Sequence, residues 1–327
     1  MKLPTTKRLY LVSGRANPEL AREIVDHLDE PLGQANISDF ASGEVHCRYS
    51  ESVRGTDVFI IQTHHAADGR SINDAIFEQL IMVDAARRAS AKRITAVIPF
   101  YGYGRQDRKA EGREPISARL VADMFRTAGA TRLLSIDLHS GQIQGFFDGP
   151  VDHLTAMPVL RDYMRDNLPE DLVVVSPDAG RVKVAERYAI QLGADLAIVY
   201  KRHTKGEKNA VEARGVVGEV EGRTCVIIDD MIDTAGTIVG AADQLIERGA
   251  VEVDAVATHG VFSGPAVDNL KNSRIGKVVV TNTIPMPSEK RFDKLVVLSV
   301  AAVVADAIDA VFEDTSVSEI FGGDNLS

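Results

Sequence analysis

Cysteine, tryptophan and long apolar runs are scarce or absent in this chain of 327 residues, which has two cysteines and no tryptophan. Cys47 and Cys225 are too few and too far apart in sequence for a disulfide framework or a thiolate metal cluster. Cys225 lies in an apolar run, so we expect it to pack as a small buried side chain. No apolar stretch has the length of a signal peptide or of a membrane span. We therefore expect a cytoplasmic protein that does not bind a membrane.

Positive charge is in deficit, since 37 Lys and Arg stand against 47 Asp and Glu and the net charge is −10. A general nucleic-acid binder needs clustered basic charge, so this balance argues against a nucleic-acid partner. A pocket for a small phosphorylated ligand needs only local donors and stays open. The composition is 45% hydrophobic and 26% charged, which is typical of a globular protein. The length suggests two domains of ordinary size.

Apolar, β-branched runs alternate with helix-periodic segments along almost the whole chain. The segment from Ile72 to Val83 has a clear apolar stripe, and Ser71 with Asp74 before it predicts a capping box. This alternation predicts an α/β fold with mostly parallel sheets flanked by helices. The predicted strands are Leu9–Ser13, Asp57–Gln62, Ile94–Pro99, Leu133–Asp137, Leu172–Ser176, Leu196–Tyr200, Cys225–Asp230, Val253–Thr258, Lys277–Thr281 and Leu295–Leu298.

One strand–helix–strand pattern occurs twice. Val53–Gln62 and Val220–Asp230 share a glycine-containing lead-in to an apolar strand, and each is followed by a polar loop, an amphipathic helix and a second strand. The matching order indicates a duplicated domain, although unrelated α/β domains share part of it by chance. Gly149–Pro158, with two prolines, is the predicted boundary. We expect domains over residues 1–155 and 156–327, with a last helix that can pack back on the first domain.

The strongest local signal is CVIIDDMIDTAGT, from Cys225 to Thr237. An apolar strand ends in Asp229 and Asp230, and the small-residue loop Asp233–Thr237 opens a helix. Backbone N–H groups converge at such a helix start, which predicts a phosphate cradle, and the carboxylates can accept from sugar hydroxyls or hold hydrated magnesium. A capped helix beside solvated acids is the weaker interpretation. Neither a P-loop motif nor a dinucleotide fingerprint occurs in the chain.

Six segments in one order resemble those of a known family, and the resemblance runs from about Leu9 to Phe321. Five of them are FASGEVHCRYSESVRG (Phe40–Gly55), PFYGYGRQDRK (Pro99–Lys109), DLHSGQIQGFFD (Asp137–Asp148), SPDAG (Ser176–Gly180) and THGVFSG (Thr258–Gly264). The sixth, IIDDMIDTAGT, resembles the signature of the type I phosphoribosyltransferase fold. Together they resemble the ribose-phosphate pyrophosphokinases, or phosphoribosyl-diphosphate synthetases. The resemblance implies two tandem domains of that fold, and transfer of the β,γ-diphosphoryl group of ATP to the 1-hydroxyl of ribose 5-phosphate, with release of AMP.

The resemblance also implies roles for individual residues. Asp229 and Asp230 would hold the ribose hydroxyls, and the 5-phosphate would lie in the cradle of Asp233, Thr234, Ala235, Gly236 and Thr237. ATP would be bound by Arg105 and Gln106 and, across a subunit interface, by Phe40, Ser42, Gly43 and Glu44, although relatives often have Asp or Asn where this chain has Ser42. Mg²⁺ would be held by His139 and Asp178.

The catalytic cations are expected in the polar segment from Tyr200 to Asn209. Lys201 matches the lysine with which relatives stabilise the transferring phosphates. Where relatives have an arginine two residues later this chain has His203, and a neutral imidazole cannot replace a permanent guanidinium fork. We expect Arg202 to substitute in part, with His203 near ribose 5-phosphate.

Two other functions are compatible with parts of this pattern. A non-catalytic regulatory homologue would keep the fold with disrupted catalytic segments, and only His203 points that way. A phosphoribosyltransferase would share the cradle but would need neither the adenine segment nor a duplicated domain. The resemblance further implies a homo-oligomer, a hexamer built from dimers, that is activated by phosphate and inhibited by ADP.

Overall fold

The computed structural model describes residues 7–202 and 213–321, without the side chains of residues 201, 202, 213 and 214. Its strands are β1 Leu9–Ser13, β2 Leu32–Gly33, β3 Ala35–Asp39, β4 Val45–Tyr49, β5 Asp57–Ile61, β6 Arg93–Ile98, β7 Arg132–Ile136, β8 Val151–Leu154, β9 Leu172–Ser176, β10 Asp195–Arg202, β11 Ala213–Val217, β12 Thr224–Ile232, β13 Glu252–Gly260, β14 Val278–Thr281 and β15 Leu295–Leu298. Its helices are α1 Pro18–Leu28, α2 Ile72–Arg88, α3 Ser117–Ala128, α4 Met157–Asn167, α5 Val182–Leu192, α6 Gly236–Glu247, α7 Ala266–Lys271 and α8 Ala301–Phe312. Short 3₁₀ helices span Gly141–Gly145, Ser288–Lys290 and Val317–Phe321.

The chain divides into two compact units. Unit 1 contains the chain up to Thr155, Thr283–Pro285 and the residues from Val300 onward, and unit 2 contains Ala156–Asn282 and Met286–Ser299. Each unit is an α/β body with its own apolar core. In the part of the chain that the structure describes, no helix is long and apolar enough to cross a membrane.

Unit 1 is built on a six-stranded sheet with the order β2-β1-β5-β6-β7-β8, and all of its pairings are parallel. Every residue of β5 is buried, as expected for a central strand covered on both faces. Helix α2 begins with the predicted capping box, in which the Ser71 hydroxyl accepts from the Asp74 N–H and the Asp74 carboxylate accepts from the Ser71 N–H. The predicted apolar stripe of this helix faces the core.

Helix α8 belongs to unit 1, where it packs against α1. Its end is held by Asp314, whose carboxylate pairs with Lys7 and Arg93 at 2.5 Å each. These two hydrogen-bonded cations lower the pKa of Asp314 to about 2. The C-terminal segment is thereby connected to both the start and the middle of unit 1.

Unit 2 is built on a seven-stranded sheet with the order β11-β10-β9-β12-β13-β14-β15. All pairings are parallel except that of β10 with the edge strand β11. Cys225 is fully buried in β12, as predicted. The buried face of α6, with Ile238, Ala242 and Leu245, packs in the core of this unit.

The two units contain the repeated pattern in three dimensions. β5, α2 and β6 in unit 1 correspond to β12, α6 and β13 in unit 2, and the strands of each pair are parallel neighbours. The lead-in glycines Gly55 and Gly222 both have positive φ, of 70° and 74°, which glycine adopts without strain. Each donates its N–H at 2.8 Å to a carbonyl just after the following helix, of Ser90 and of Gly249 respectively. The predicted α/β fold, with a mostly parallel sheet in each unit, is confirmed.

Candidate functional site

Strand β12 carries the paired carboxylates, and it is longer than the sequence predicts because it continues through Ile232 in parallel register with β13. Asp229 and Asp230 therefore lie within the strand rather than at its end. Arg181, directly before α5, contacts both of them: Nε lies 3.2 Å from Asp229 Oδ1 and Nη2 lies 2.8 Å from Asp230 Oδ1. The three side chains are at most 15% exposed, so their charges interact with little screening by water.

This environment changes the ionisation of the pair. Burial, the negative charge of Asp230 and the hydrogen bond from Asp230 raise the pKa of Asp229 to about 8, against the lowering effect of Arg181. The N–H of Asp230 donates to Asp229 Oδ1 at 2.8 Å, which fixes the orientation of that carboxylate. The raised pKa shows that burial and the neighbouring charge oppose ionisation of both carboxyl groups at once, and the pair presents oriented oxygen acceptors to a ligand.

The predicted cradle lies directly after this strand. Ala235 has a left-handed backbone with φ of 64°, which turns the chain into α6, and its own side chain makes no capping hydrogen bond. Apart from the adjacent residues and the backbone of α6 itself, no described atom lies within 4 Å of the position that a Cβ on Gly236 would take. Thr234, Gly236 and Thr237 are exposed. An open helix start with small and hydroxyl-bearing residues can accept an anion.

Main-chain and side-chain bonds hold the cradle loop in place. The N–H of Ser263, in the THGVFSG motif after β13, donates to the Asp233 carbonyl at 3.0 Å. The Asn269 side chain on α7 donates to the Thr234 carbonyl at 3.0 Å. Lys290 donates to the Val261 carbonyl at 2.9 Å, and burial lowers its pKa although the charge of nearby Asp233 opposes this shift. Our sequence analysis did not identify Arg181, Asn269 or Lys290.

Asp178 lies after β9, which is the parallel neighbour of β12, so its loop opens at the same edge of the sheet as the carboxylate pair. Its side chain is exposed, and Oδ1 accepts from the Gly180 N–H at 2.7 Å. The Ser176 hydroxyl donates to the Asp178 carbonyl at 2.7 Å and tightens the turn. Unit 2 thus brings Asp178, the carboxylate pair and the cradle to one sheet edge.

In unit 1 the residues predicted to bind ATP occur on two elements. The first is the turn between β3 and β4, an antiparallel hairpin that the sequence did not predict. Phe40 is 57% exposed at the start of this turn, its N–H donates to the Glu44 carbonyl at 2.9 Å, and it accepts from the Gly43 N–H at 2.8 Å. The Ser42 hydroxyl donates to the Glu44 carboxylate at 2.7 Å. Ser42 therefore orients Glu44 within the turn.

The second element is the loop after β6 that carries Arg105 and Gln106. The Gln106 side chain accepts from the Ser117 hydroxyl at 2.6 Å, which anchors it to the start of α3. His139 lies beside this loop, since a Cβ on Gly104 would stand 3.5 Å from the His139 Cβ. Unit 1 therefore brings the predicted metal-site histidine next to the Arg105–Gln106 loop.

A direct bond connects the loop to the segment of His139. The Gln142 amide donates to the carboxylate of buried Asp107 at 2.8 Å and to its carbonyl at 3.2 Å. The PFYGYGRQDRK and DLHSGQIQGFFD motifs, which are separate in sequence, therefore form one surface of unit 1.

A buried histidine, His64, is hydrogen-bonded to the loop that carries Arg105 and Gln106. The Gly102 N–H donates to His64 Nδ1 at 3.1 Å, and His64 Nε2 lies 2.9 Å from Gln79 Oε1. The Gln79 amide in turn donates to the Ile60 carbonyl at 2.8 Å, which leaves its oxygen to accept from the Nε2 proton of His64. Complete burial lowers the pKa of His64 to about 4. His64 is thus a neutral structural residue under the loop.

The predicted catalytic cations fall where the structure gives no side-chain geometry. Lys201 and Arg202 close β10, with their main chains in register with Arg214 and Ala213, but their side chains are outside the described residues. His203 lies outside the described residues altogether.

The residues predicted to hold magnesium are His139 and Asp178. Among the described residues no three His, Cys, Asp or Glu side chains group as a metal-binding cluster. His139 in unit 1 and Asp178 in unit 2 each offer one donor group. The Asp178 carboxylate by itself fits magnesium, which keeps several waters and is commonly bound through one or two carboxylates and the phosphates of a substrate, whereas an imidazole such as that of His139 fits through a water that the ion retains.

Comparison with known proteins adds a family context to this geometry. Residues 9–129 match the family model described as the N-terminal domain of ribose phosphate pyrophosphokinase, and residues 203–322 match the phosphoribosyl synthetase-associated domain. The chain is 55% identical over 322 residues to the ribose-phosphate pyrophosphokinase of Streptomyces coelicolor, covering 98% of each chain. It is 52% identical to that of Mycobacterium leprae, covering 97% of each. A crystal structure of phosphoribosylpyrophosphate synthetase from Mycobacterium smegmatis matches with a TM-score of 0.87 and 51% identity, over 94% of this chain and 100% of that one.

Proposed function

This chain belongs to the ribose-phosphate pyrophosphokinase family, and from that premise we propose which of its residues carry out the reaction. The reaction transfers the diphosphoryl group of ATP to the 1-hydroxyl of ribose 5-phosphate and yields 5-phosphoribosyl 1-diphosphate and AMP. Its product feeds the synthesis of nucleotides and of some amino acids and cofactors. The proposed location is the cytoplasm.

The observation that carries the assignment of residues is the sheet edge of unit 2. There, two nearly buried carboxylates that both contact one guanidinium stand directly before the start of α6, where the space at Gly236 is open. A phosphorylated sugar needs both features at one place, acceptors for its hydroxyls and donors for its phosphate. We assign Asp229 and Asp230 to the ribose hydroxyls. The loop from Asp233 to Thr237 is assigned to the 5-phosphate, and His203 is proposed as a further residue for ribose 5-phosphate.

The nucleotide is assigned to the two elements of unit 1. Phe40 offers an exposed ring on which an adenine can stack, and Glu44, oriented by Ser42, can accept from an exocyclic amine. Gly43 closes the turn with a positive φ of 89°, a conformation that suits glycine. Arg105 supplies guanidinium donors for phosphate or ring atoms, and Gln106 is fixed by Ser117.

Magnesium is the proposed cofactor, with His139 and Asp178 as its protein residues. When bound, it would neutralise charge on the ATP phosphates. Asp178 is held ready by its bond from the Gly180 N–H, and His139 lies beside the Arg105–Gln106 loop. The remaining ligands of the magnesium ion would come from water and from the nucleotide phosphates.

The proposed mechanism is an in-line displacement at the β-phosphorus of ATP. Anchoring the sugar by its 5-phosphate, remote from the reacting 1-hydroxyl, lets binding energy orient the attacking oxygen. Lys201 is assigned to the negative charge that develops on the transferring group, with Arg202 in the place of the family arginine. Asp229 and Asp230 hold the sugar ring so that the 1-hydroxyl faces the nucleotide.

We also propose a homohexamer with phosphate and ADP as regulators. The hairpin turn with its exposed Phe40 would serve the site of a neighbouring subunit. Support for a regulatory anion site comes from an open cavity of about 410 Å³ in unit 1 whose lining includes Arg48, Ser52 and Arg54, together with one carboxylate, that of Glu51. Guanidinium and hydroxyl donors of this kind suit phosphate groups. The rate as a function of free phosphate tests this proposal, and no response would remove it.

The nucleotide product separates the proposed reaction from its alternatives. Incubation with magnesium, ATP and ribose 5-phosphate should produce AMP. ADP would contradict the proposed transfer, and no turnover would favour a non-catalytic homologue. Phe40→Ala and Thr237→Val then test the assignment of residues, because the first should raise the KM for ATP and the second the KM for ribose 5-phosphate.

A further inference from the structure

The hairpin that carries the nucleotide turn is a two-stranded sheet separate from the six-stranded sheet of unit 1. Its base is anchored by packing: the Tyr49 hydroxyl donates to the Met82 carbonyl on α2 at 2.9 Å, and the Tyr49 ring meets Tyr10 edge-on at 6.0 Å. The turn lies at the opposite end. A two-stranded hairpin is marginally stable by itself, so the position of its tip depends on further contacts.

One such contact is a two-point ion pair immediately before the turn. Asp39, the last residue of β3, accepts from Arg15 through both carboxylate oxygens, from Nη1 at 2.8 Å and from Nη2 at 2.6 Å. The two parallel bonds fix direction as well as distance. Arg15 follows β1, so the pair joins the tip of the hairpin to the carboxyl edge of the large sheet.

Arg15 is itself held on its other side. Its Nε donates to Glu78 Oε2 at 2.6 Å and its main-chain N–H donates to Glu78 Oε1 at 2.7 Å. Glu78 on α2 is 1% exposed, and it also accepts from the Gln62 amide at 2.9 Å. A buried carboxylate with three hydrogen bonds is a rigid support. The guanidinium is therefore fixed by a buried group and presents its outer edge to Asp39.

We propose that Arg15 and Asp39 are positioning residues for the nucleotide, because their ion pair holds the Phe40–Glu44 turn where it meets ATP. The inference rests on the proposed role of that turn. Arg15 does not touch the nucleotide in this account. It acts through Asp39, whose neighbour Phe40 carries the stacking ring, so loss of the pair lets the tip of the hairpin move while its base remains packed.

The shape of the guanidinium explains why arginine is needed at this position. One planar side chain bonds Glu78 through Nε and Asp39 through Nη1 and Nη2 at the same time. A lysine ammonium could neutralise Glu78 but could not reproduce this fork. The side chains of Asp39 and Arg15 are 38% and 21% exposed. A substitution of Asp39 therefore breaks the ion pair without exposing buried core residues to water.

The test uses Asp39→Asn, which breaks the ion pair and leaves Arg15 to compensate the buried Glu78. Asp84→Asn is the matched control, because Asp84 is also an exposed partner of an arginine, Arg88, on the surface of α2. Arg15→Lys is the second variant, since it retains the positive charge beside Glu78. We expect Asp39→Asn and Arg15→Lys to raise the KM for ATP about three- to tenfold, a change in the range expected for charged hydrogen bonds. The KM for ribose 5-phosphate and the Tm should stay near those of the control.

Hydrogen exchange supplies a readout that does not depend on catalysis. The Phe40 and Gly43 N–H groups close the turn, so peptides over residues 34–50 should exchange faster in Asp39→Asn than in Asp84→Asn. The inference is overturned if exchange and the KM for ATP match the control, or if both KM values rise together. If Phe40→Ala leaves the KM for ATP unchanged, the assignment of the turn to ATP has failed, which is a failure of the proposed function and not of the ion pair.

Discussion

Arg181 Nη2 lies 2.8 Å from Asp230 Oδ1 in unit 2, and Nε of the same side chain lies 3.2 Å from Asp229 Oδ1. One guanidinium thus contacts two adjacent, nearly buried carboxylates. Burial and the negative charge of Asp230 together outweigh Arg181, which explains why the pKa of Asp229 is raised. The site keeps an ionisable group that costs stability, as expected for residues retained for binding rather than for folding.

Asp229→Asn should make the protein more stable and much less active. The pKa of Asp229 is about 8 in the fold against 3.8 ordinarily, so the folded state holds a proton that the unfolded chain releases. This group therefore disfavours the fold increasingly as pH rises from about 4 to about 8. Asparagine removes the penalty and can still accept from Arg181 and from the Asp230 N–H.

Thermal unfolding of wild type and Asp229→Asn between pH 5 and pH 8 checks this prediction. The Tm advantage of the variant should grow with pH, while its kcat/KM for ribose 5-phosphate falls by about 10- to 100-fold, because an amide N–H₂ replaces one oxygen acceptor for the ribose hydroxyls. A constant or shrinking Tm difference would show that Asp229 is ionised in the fold across this range.

Gly236→Ala should weaken the binding of ribose 5-phosphate without weakening the fold. The added methyl group enters open space, and alanine in a helix is favoured over glycine by about 0.5–1 kcal/mol. In the proposed site that space receives the 5-phosphate, so the KM for ribose 5-phosphate should rise about tenfold, as expected for a lost or displaced charged hydrogen bond. Gly112→Ala, also in open space but in unit 1, is the control. Equal KM values in the two variants would place the phosphate elsewhere.

Lys201→Ala should remove nearly all turnover. If Arg202 replaces the family arginine in the transition state, Arg202→Ala should reduce kcat about 10- to 100-fold with little change in either KM. His203→Ala should have the smaller effect, because a neutral imidazole contributes little to a phosphoryl oxygen. Steady-state kinetics of the three variants checks the order. Unchanged kinetics in Arg202→Ala together with lost turnover in His203→Ala would reverse the assignment.

His64 predicts a loss of stability in weak acid. Its pKa is lowered to about 4 in the fold from 6.5 ordinarily, so its contribution is complete above pH 6.5 and is lost as pH falls towards 4. The full effect is about 3 kcal/mol. His64→Asn keeps an acceptor for Gly102 and a donor for Gln79 but cannot titrate. Urea unfolding from pH 7 to pH 5 should show a steeper decline for wild type than for the variant, and parallel declines would exclude His64 as the cause.

Much of the fold could be predicted from the sequence, and the missing parts have a physical reason. All ten predicted strands are present, because central parallel strands contain continuous apolar runs such as residues 58–61 of β5. The hairpin strands β3 and β4 were missed because their side chains alternate between half-buried and exposed, with polar residues among them. β2 has two residues, too few for any periodicity. β8 lies in the segment that the sequence indicated as a boundary.

The site was predictable where its residues are contiguous. Asp229 and the cradle lie in one motif, so the sequence indicated the carboxylates and the helix start together. Arg181 was missed because it meets Asp229 only through the adjacency of β9 and β12 in the sheet. Arg15 was missed for the same reason, since its bond to Asp39 crosses from the end of β1 to an unpredicted hairpin. Contacts between distant segments depend on sheet order, which periodicity does not determine.

The fate of the β-phosphorus of ATP distinguishes transfer of the diphosphoryl group from transfer of a single phosphoryl group. Wild-type protein is incubated with magnesium, ribose 5-phosphate and ATP labelled at the β-phosphorus, and the products are separated. Diphosphoryl transfer predicts that the label appears in the sugar product, with an equal amount of unlabelled AMP. Label recovered in ADP would mean transfer of a single phosphoryl group and would contradict the account.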